Sequence, residues 1–354
     1  MEKKIKVFII DDSPMIRDIL GTVVKSASDM VLVGEAENGR VALEKLQFIN
    51  PDIITLDIQM PEMDGLETLK RIMATKPIPV IMISSFTRDG ADITFKALEL
   101  GAVDYIQKPS LSSIRNNINL ISDLLLTKIR VFSGFELPGK TMFKQPSVDD
   151  DVPVIGGLPS CNLPVTPNNQ FEYICIGAST GGTVALTQII PQLKEELKVP
   201  VLVVQHMPKL YTSSFAKRLN NLSKLKVVEV QGGEVLTPGV VYLAQGGFHM
   251  KVDSGRIVIE DSEEVNCHKP SIDVLFNSIS SINGSRTMGI ILTGMGSDGA
   301  KGISQIKRTG GFTIAQDEQS SVIFGMPASA IKTGAIDRIM PLDQIPIFIN
   351  KYFK

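Results

Sequence analysis

The chain has only three cysteines among its 354 residues, Cys161, Cys175 and Cys267, far apart and never in a CxxC spacing. An odd, scattered set suits neither a disulfide framework nor a zinc site, so free thiols in a reducing compartment are expected. Excess charge is equally scarce: 36 basic residues nearly cancel 38 acidic ones, leaving −2. A nucleic-acid binder needs a basic surface to meet phosphates, so no nucleic-acid partner is expected. Nowhere does an apolar run approach the roughly 18–20 residues of a membrane span. The opening MEKKIKVFIIDD sets lysines before an apolar stretch, but Asp11 and Asp12 end it and no cleavage site follows. The expectation is a cytoplasmic protein without membrane insertion.

What is present is apolar enough for sizeable cores, at 43% hydrophobic residues, and long enough for two domains of roughly 100–200 residues each. Short aliphatic runs at 6–10, 30–33, 53–56, 79–83 and 102–106 alternate with helix-patterned stretches at 14–26, 39–48, 65–74 and 91–100. Continuous aliphatic runs suit parallel strands buried on both faces, and their alternation with helices suits a doubly wound α/β sheet. A last helix is expected over 111–130. From 131 to 170 the chain turns to proline and glycine without periodicity, which marks a linker. Alternation resumes at Phe171, with strands expected at 173–176, 199–204, 225–230, 289–292 and 311–315, and a β-hairpin excursion around 240–259. The expected domains are 1–130 and 171–354, both α/β, joined by a linker at 131–170.

In an open parallel sheet, functional groups gather at the carboxyl ends of strands. The first expected strand ends in Asp11–Asp12, the third in Asp57 and the fourth in Ser84, and Lys108–Pro109 follow the fifth. Three carboxylates meeting in one crevice repel unless a cation intervenes, and an all-oxygen set points to Mg²⁺. Such a site can pass a phosphoryl group to Asp57, with Lys108 pairing with its oxygens and Ser84 donating a hydrogen bond. Taken singly the pieces are ordinary, a loop or N-cap here and a turn there. Together IIDDSP, ITLDIQMPEMDG, VIMISS and DYIQKP resemble, in order and interval, the flavodoxin-like receiver domain of response regulators. That resemblance implies that Asp57 takes phosphate from a histidine kinase. It also implies that Asp12, Asp57 and the Gln59 carbonyl bind Mg²⁺, and that Tyr105 reorients with Ser84.

The second α/β region opens with CIGASTGG, after an expected strand and before a helix. Backbone N–H groups of the coming helix favour negative charge there, whether a phosphate or a tetrahedral oxyanion. From this loop alone a nucleotide site is as good a reading as a nucleophile, although the P-loop lysine and the full GxGxxG spacing are missing. A serine nucleophile needs a base, and the chain has only His206, His249 and His268. His206, in VVQHMP, ends the next strand. His249 falls in the hairpin excursion and His268 precedes a helix. The base needs an acid, and Asp298 in LTGMGSDGA follows the strand expected at 289–292. Ser179, His206 and Asp298 thus share one edge of one sheet, which permits a triad without proving contact. Singly, Ser179 and Asp298 are ordinary N-caps and His206 an ordinary buried histidine.

GASTGG, VVQHMP, HKPSIDVLF and LTGMGSDGA resemble the catalytic domain of the CheB family, the chemotaxis protein-glutamate methylesterases. The resemblance implies a doubly wound, α/β hydrolase-type domain in which Ser179 attacks receptor glutamate methyl esters and releases methanol. His206 is then the base and Asp298 its orienter. The Met295 N–H helps form the oxyanion hole, with Thr180 and Gly181 shaping the pocket. It further implies deamidation of receptor glutamines, no cofactor for ester hydrolysis, and two partners: methyl-accepting chemotaxis receptors and a chemotaxis histidine kinase. One departure is Gln245, where the family pattern leads to a proline. Three other readings remain open from sequence: a DNA-binding response regulator, a non-catalytic anion-binding module, and an esterase for small molecules.

Overall fold

The computed structural model describes residues 4–84, 87–108, 111–134 and 171–353. The first domain runs β1 (Ile5–Ile10), α1 (Pro14–Ser26), β2 (Met30–Ala36), α2 (Gly39–Leu46), β3 (Ile53–Asp57), α3 (Gly65–Thr75), β4 (Val80–Ser84), α4 (Arg88–Glu99), β5 (Asp104–Gln107) and α5 (Leu111–Phe132). Its five strands lie in the order β2-β1-β3-β4-β5 and every pair is parallel. β3 and β4 are buried at every position, which is why they read as near-continuous apolar runs: helices cover both faces of the sheet. Most of the helix starts have the caps their sequence supplies. Asn38, Asp64 and Thr87 each accept a backbone N–H at the head of α2, α3 and α4.

The second domain runs β6 (Tyr173–Ala178), α6 (Gly182–Ile189), β7 (Val201–Gln205), α7 (Lys209–Leu222), β8 (Lys226–Glu229), β9 (Val240–Leu243), β10 (His249–Asp253), β11 (Arg256–Glu260), α8 (Ile272–Asn283), β12 (Thr287–Ile291), α9 (Ala300–Arg308), β13 (Phe312–Gln316), α10 (Met326–Lys332), β14 (Arg338–Met340) and α11 (Gln344–Tyr352). Seven of these strands form one parallel sheet, in the order β14-β13-β12-β6-β7-β9-β8. The chain reverses its direction of travel across the sheet between β6 and β12, and an open α/β sheet binds its ligands at such a switch point. The hairpin expected over 240–259 is narrower. Only β10 and β11 form it, around Ser254–Gly255, whereas β9 enters the main sheet between β7 and β8.

α5 continues to Phe132, two residues into the expected linker, whose stretch from 135 to 170 lies outside the described residues. The two domains touch along α4 and α7. Phe95 stacks on Phe215 at 5.3 Å, Tyr105 stacks on Tyr211 at 5.0 Å, and Arg218 pairs with Glu99 while reaching the Phe95 carbonyl. Phe95 and Ala91 belong to the same apolar cluster as Tyr211, Phe215 and Leu219. No helix among the described residues is long and apolar enough to cross a membrane.

Candidate active site and phosphorylation site

Three loops meet at the switch point. The register pairs Gly177 with Ile291 and Ala178 with Gln205, so β6, β7 and β12 end side by side. Ser179 is the first residue beyond β6 and His206 the first beyond β7. The serine loop is tied on both flanks: its N–H donates to the Thr293 carbonyl at 3.0 Å, and its carbonyl accepts from Gln205 Nε2 at 2.8 Å. The same amide donates to the His206 carbonyl at 3.1 Å. Thr293 donates its hydroxyl to the Thr180 carbonyl at 3.0 Å. Gly181 then turns the chain with a φ of +78°, and a Cβ there would sit 2.6 Å from Val322 Cβ. Only glycine fits. Gly181 itself occupies the N-cap of α6, so Ser179 is not spent on capping.

His206 is half-buried and its Nε2 lies 2.8 Å from Asp298 Oδ2. Its Nδ1 is buried with no hydrogen-bond partner among the described residues. An ionised Asp298 accepts a hydrogen bond from Nε2–H, so the lone pair stands on Nδ1, the nitrogen left for a serine proton. Asp298 is 2% exposed and held by further donors: Asn266 Nδ2 at 2.7 Å, the Ser271 hydroxyl at 2.8 Å and the Ile272 N–H at 2.6 Å. Burial alone would raise its pKa, but the hydrogen bonds from His206 and Asn266 outweigh burial and keep the carboxyl well below the usual carboxylate range. The N-cap alternative for Asp298 is half right: it receives the first N–H groups of α8, while Gly299 caps its own helix α9.

Around this core stand residues that sequence reasoning did not assign. His268 stacks face to face on His206, ring centroids 3.7 Å apart. Burial, reinforced by His206, pushes its pKa down to about 4. His268 and Ser271 both lie in HKPSIDVLF, a stretch quoted for its resemblance without a role for either. Gln205 and Asn266 gave no signal, because amides are silent in a search for acids and bases. His249 is accounted for structurally: it accepts from the Ser271 N–H and its other nitrogen faces the Glu263 carbonyl. Met295 follows Thr293 by two residues and is 47% exposed, and its N–H has no hydrogen-bond acceptor among the described residues. Cys175 is buried inside β6, where desolvation pushes its thiol up, and Cys267 is exposed. Cys161 lies outside the described residues.

In the first domain the expected carboxylates also come together. Asp11, Asp12 and Asp57 each offer an oxygen within 4.8 Å of the others. Lys108 Nζ reaches Asp57 at 2.9 Å and Asp11 at 3.1 Å. Burial, then the charge of Asp11, pushes Asp57 up to about 6 despite Lys108. One lysine against three carboxylates leaves negative charge uncompensated, and an oxygen-only donor set of this kind fits a hard divalent cation such as Mg²⁺. Gln59 follows on the loop leaving β3. Ser84 ends β4, fully buried, bonded to Thr94 Oγ1 at 2.8 Å and to the Gly90 carbonyl at 3.2 Å.

One cleft of about 540 Å³ is lined by both domains, and Lys108 of the phosphorylation site borders it. Its floor carries Ser179, Thr180, Gly181 and His206, and the opposite wall is made by Asp104–Lys108 with Leu124 and Lys128 of the first domain. Lys128 pairs with Asp104 and also donates to the Tyr105 carbonyl at 3.0 Å.

Comparison with known proteins agrees with this geometry. Residues 174–349 match the model of the CheB methylesterase family, and residues 7–119 match that of the response regulator receiver domain. A Bacillus licheniformis protein named protein-glutamate methylesterase/protein-glutamine glutaminase is 42% identical over 99% of this chain and 99% of its own length. A Pyrococcus horikoshii protein of the same name is 42% identical, with coverage of 99% and 94%. Among solved structures, the Thermotoga maritima CheB methylesterase catalytic domain superposes with a TM-score of 0.50 at 39% identity. It covers 51% of this chain and 98% of that one.

Proposed function

Since the chain belongs to the CheB methylesterase family and carries a response regulator receiver domain ahead of the catalytic one, we propose that it hydrolyses glutamate methyl esters on chemoreceptors and deamidates receptor glutamines, under control of phosphorylation at Asp57. The observation that carries the reading is the Asp298–His206 pair, 2.8 Å apart at the switch point beside Ser179.

In the proposed reaction the Ser179 hydroxyl gives its proton to His206 Nδ1 while its oxygen bonds to the ester carbonyl carbon. Asp298 holds the ring by Nε2 and stabilises the imidazolium that forms. The Met295 N–H meets the oxyanion, with Thr180 and Gly181 shaping the wall. The imidazolium returns the proton to the departing oxygen, methanol leaves, and a glutamyl ester of Ser179 remains. Water, deprotonated by the same nitrogen, then attacks the acyl carbon, the imidazolium returns that proton to the departing Ser179 oxygen, and the free glutamate side chain leaves. With a glutamine the leaving group is ammonia.

The receiver side supports phosphoryl transfer from a histidine kinase to Asp57. Asp11, Asp12, Asp57 and the Gln59 carbonyl would hold Mg²⁺, which offsets the charge of the incoming group. Lys108 pairs with the phosphoryl oxygens. Because residues 104–108 wall the cleft over Ser179, the reading has the unphosphorylated receiver excluding the receptor, and phosphorylation biasing the interface toward release.

The test is methanol release from methylated receptor membranes, with and without a small-molecule phosphodonor. Ser179→Ala should lose on the order of 10⁴-fold or more, and the phosphodonor should stimulate only while Asp57 is intact. A wild-type protein that releases no methanol under either condition would overturn the proposal.

A further inference from the structure

His206 is gripped at one end only. Asp298 takes the Nε2 position, while Nδ1 makes no hydrogen bond among the described residues. A ring hinged on one hydrogen bond can still swing, and a displacement of about an ångström can cost on the order of 10²-fold in rate. Nδ1 cannot supply the second restraint, because it has to remain open for the serine proton. What remains is the face of the ring, and His268 lies against it at 3.7 Å with the two planes within 26°. The segment carrying His268 is itself pinned. Val265 and His268 exchange backbone hydrogen bonds at 3.0 and 3.1 Å, and Ser271 donates to Asp298 at 2.8 Å.

Building on the proposed serine-hydrolase reading, we propose that His268 is a positioning residue. It clamps the His206 ring with Nδ1 available to Ser179, and its π face steadies the imidazolium formed on proton transfer. Its depressed pKa keeps it uncharged at neutral pH, so it does not repel that cation.

The test uses the full chain activated by phosphodonor. His268→Ala should lower kcat on the order of 10- to 100-fold with KM unchanged, and His268→Phe, which restores a flat ring, should recover most of it. Unchanged kcat in His268→Ala, or a Phe variant as impaired as the Ala variant, overturns the inference. The proposed function fails separately, if wild type and Ser179→Ala release methanol equally.

A second, independent observation lies across the domain interface. Tyr211 of α7 is fully buried, and its hydroxyl is hydrogen-bonded to Ser84 and Thr94 of the first domain. Its ring stacks on Tyr105, centroids 5.0 Å apart and planes within 9°. One esterase side chain therefore touches both residues expected to move on phosphorylation. Ser84 gives its single proton to the Gly90 carbonyl and can accept from the Tyr211 hydroxyl, and a phosphoryl group on Asp57 would draw that proton and turn the Ser84 hydroxyl away from both. We infer that Tyr211 reads the state of the receiver directly: while Ser84 is shared with Tyr211 the cleft stays closed, and when Ser84 turns to the phosphoryl group the closed interface loses that bond.

Tyr211→Phe keeps the ring and deletes the hydroxyl. Basal methanol release should rise roughly 2- to 12-fold, the equilibrium worth of one hydrogen bond, while the phosphodonor-stimulated rate stays near wild type. An unaltered basal rate together with an unaltered stimulation ratio overturns the inference.

Discussion

At the scale of single residues, Asp298 joins two tasks that sequence reading kept apart. Its position after a strand marked it both as a triad acid and as an N-cap, and its carboxylate holds His206 Nε2 while receiving the first N–H groups of α8 rather than α9. Ser179, His206 and Asp57 were legible because strand ends can be read from aliphatic runs, and chemistry then selects among few residues. Gln205, Asn266 and His268 were not, since their roles come from contacts across 26–62 positions of chain rather than from any local pattern. His268 gives a pH prediction. Burial and His206 push it down to about 4, whereas an unfolded histidine titrates at roughly 6.5. Between these values the unfolded chain binds a proton that the folded chain refuses, so stability falls as pH drops through that window. Melting temperatures measured from about pH 7 down to about pH 5 should fall less steeply for His268→Phe than for wild type. Parallel slopes would place the proton uptake elsewhere.

Among elements, the strands that escaped the sequence are the instructive ones. β9 looked like part of a hairpin because alternation and nearby glycines say nothing about whether a strand pairs parallel or antiparallel. Its pairing with β7 and β8 depends on the whole sheet. β14 has three residues, too few for a period, and α11 contains Pro346, which reads as a breaker yet falls in the first turn where no N–H is needed. The turn from β6 into α6 was legible as glycine-rich but not in its purpose. A Cβ on Gly182 would lie 2.1 Å from Gln205 Oε1, so Gly182→Ala should push that amide off the Ser179 and His206 carbonyls. The expected result is a loss of kcat on the order of 10²-fold, with a stability loss of only about 1–3 kcal/mol in urea titration. Full activity in that variant would mean that Gln205 does not hold the two loops.

For the whole molecule, the order of domains was plain from composition, but their face-to-face arrangement was not, because Phe95, Tyr211 and Phe215 read as ordinary core residues of separate sheets and Tyr105 was marked only for a role within its own domain. If residues 104–108 shield Ser179 as their position in the cleft suggests, removing residues 1–130 should raise the unstimulated rate of methanol release. An unchanged rate would rule out shielding. The shared wall carries a further consequence. A receptor segment that fits the cleft only once it is open competes with the enzyme's own first half, and whatever binds one state alone draws the population toward it. A dense receptor array would thus recruit working enzyme out of the closed pool by mass action, so the extent of crowding at the substrate becomes a second input alongside the phosphate.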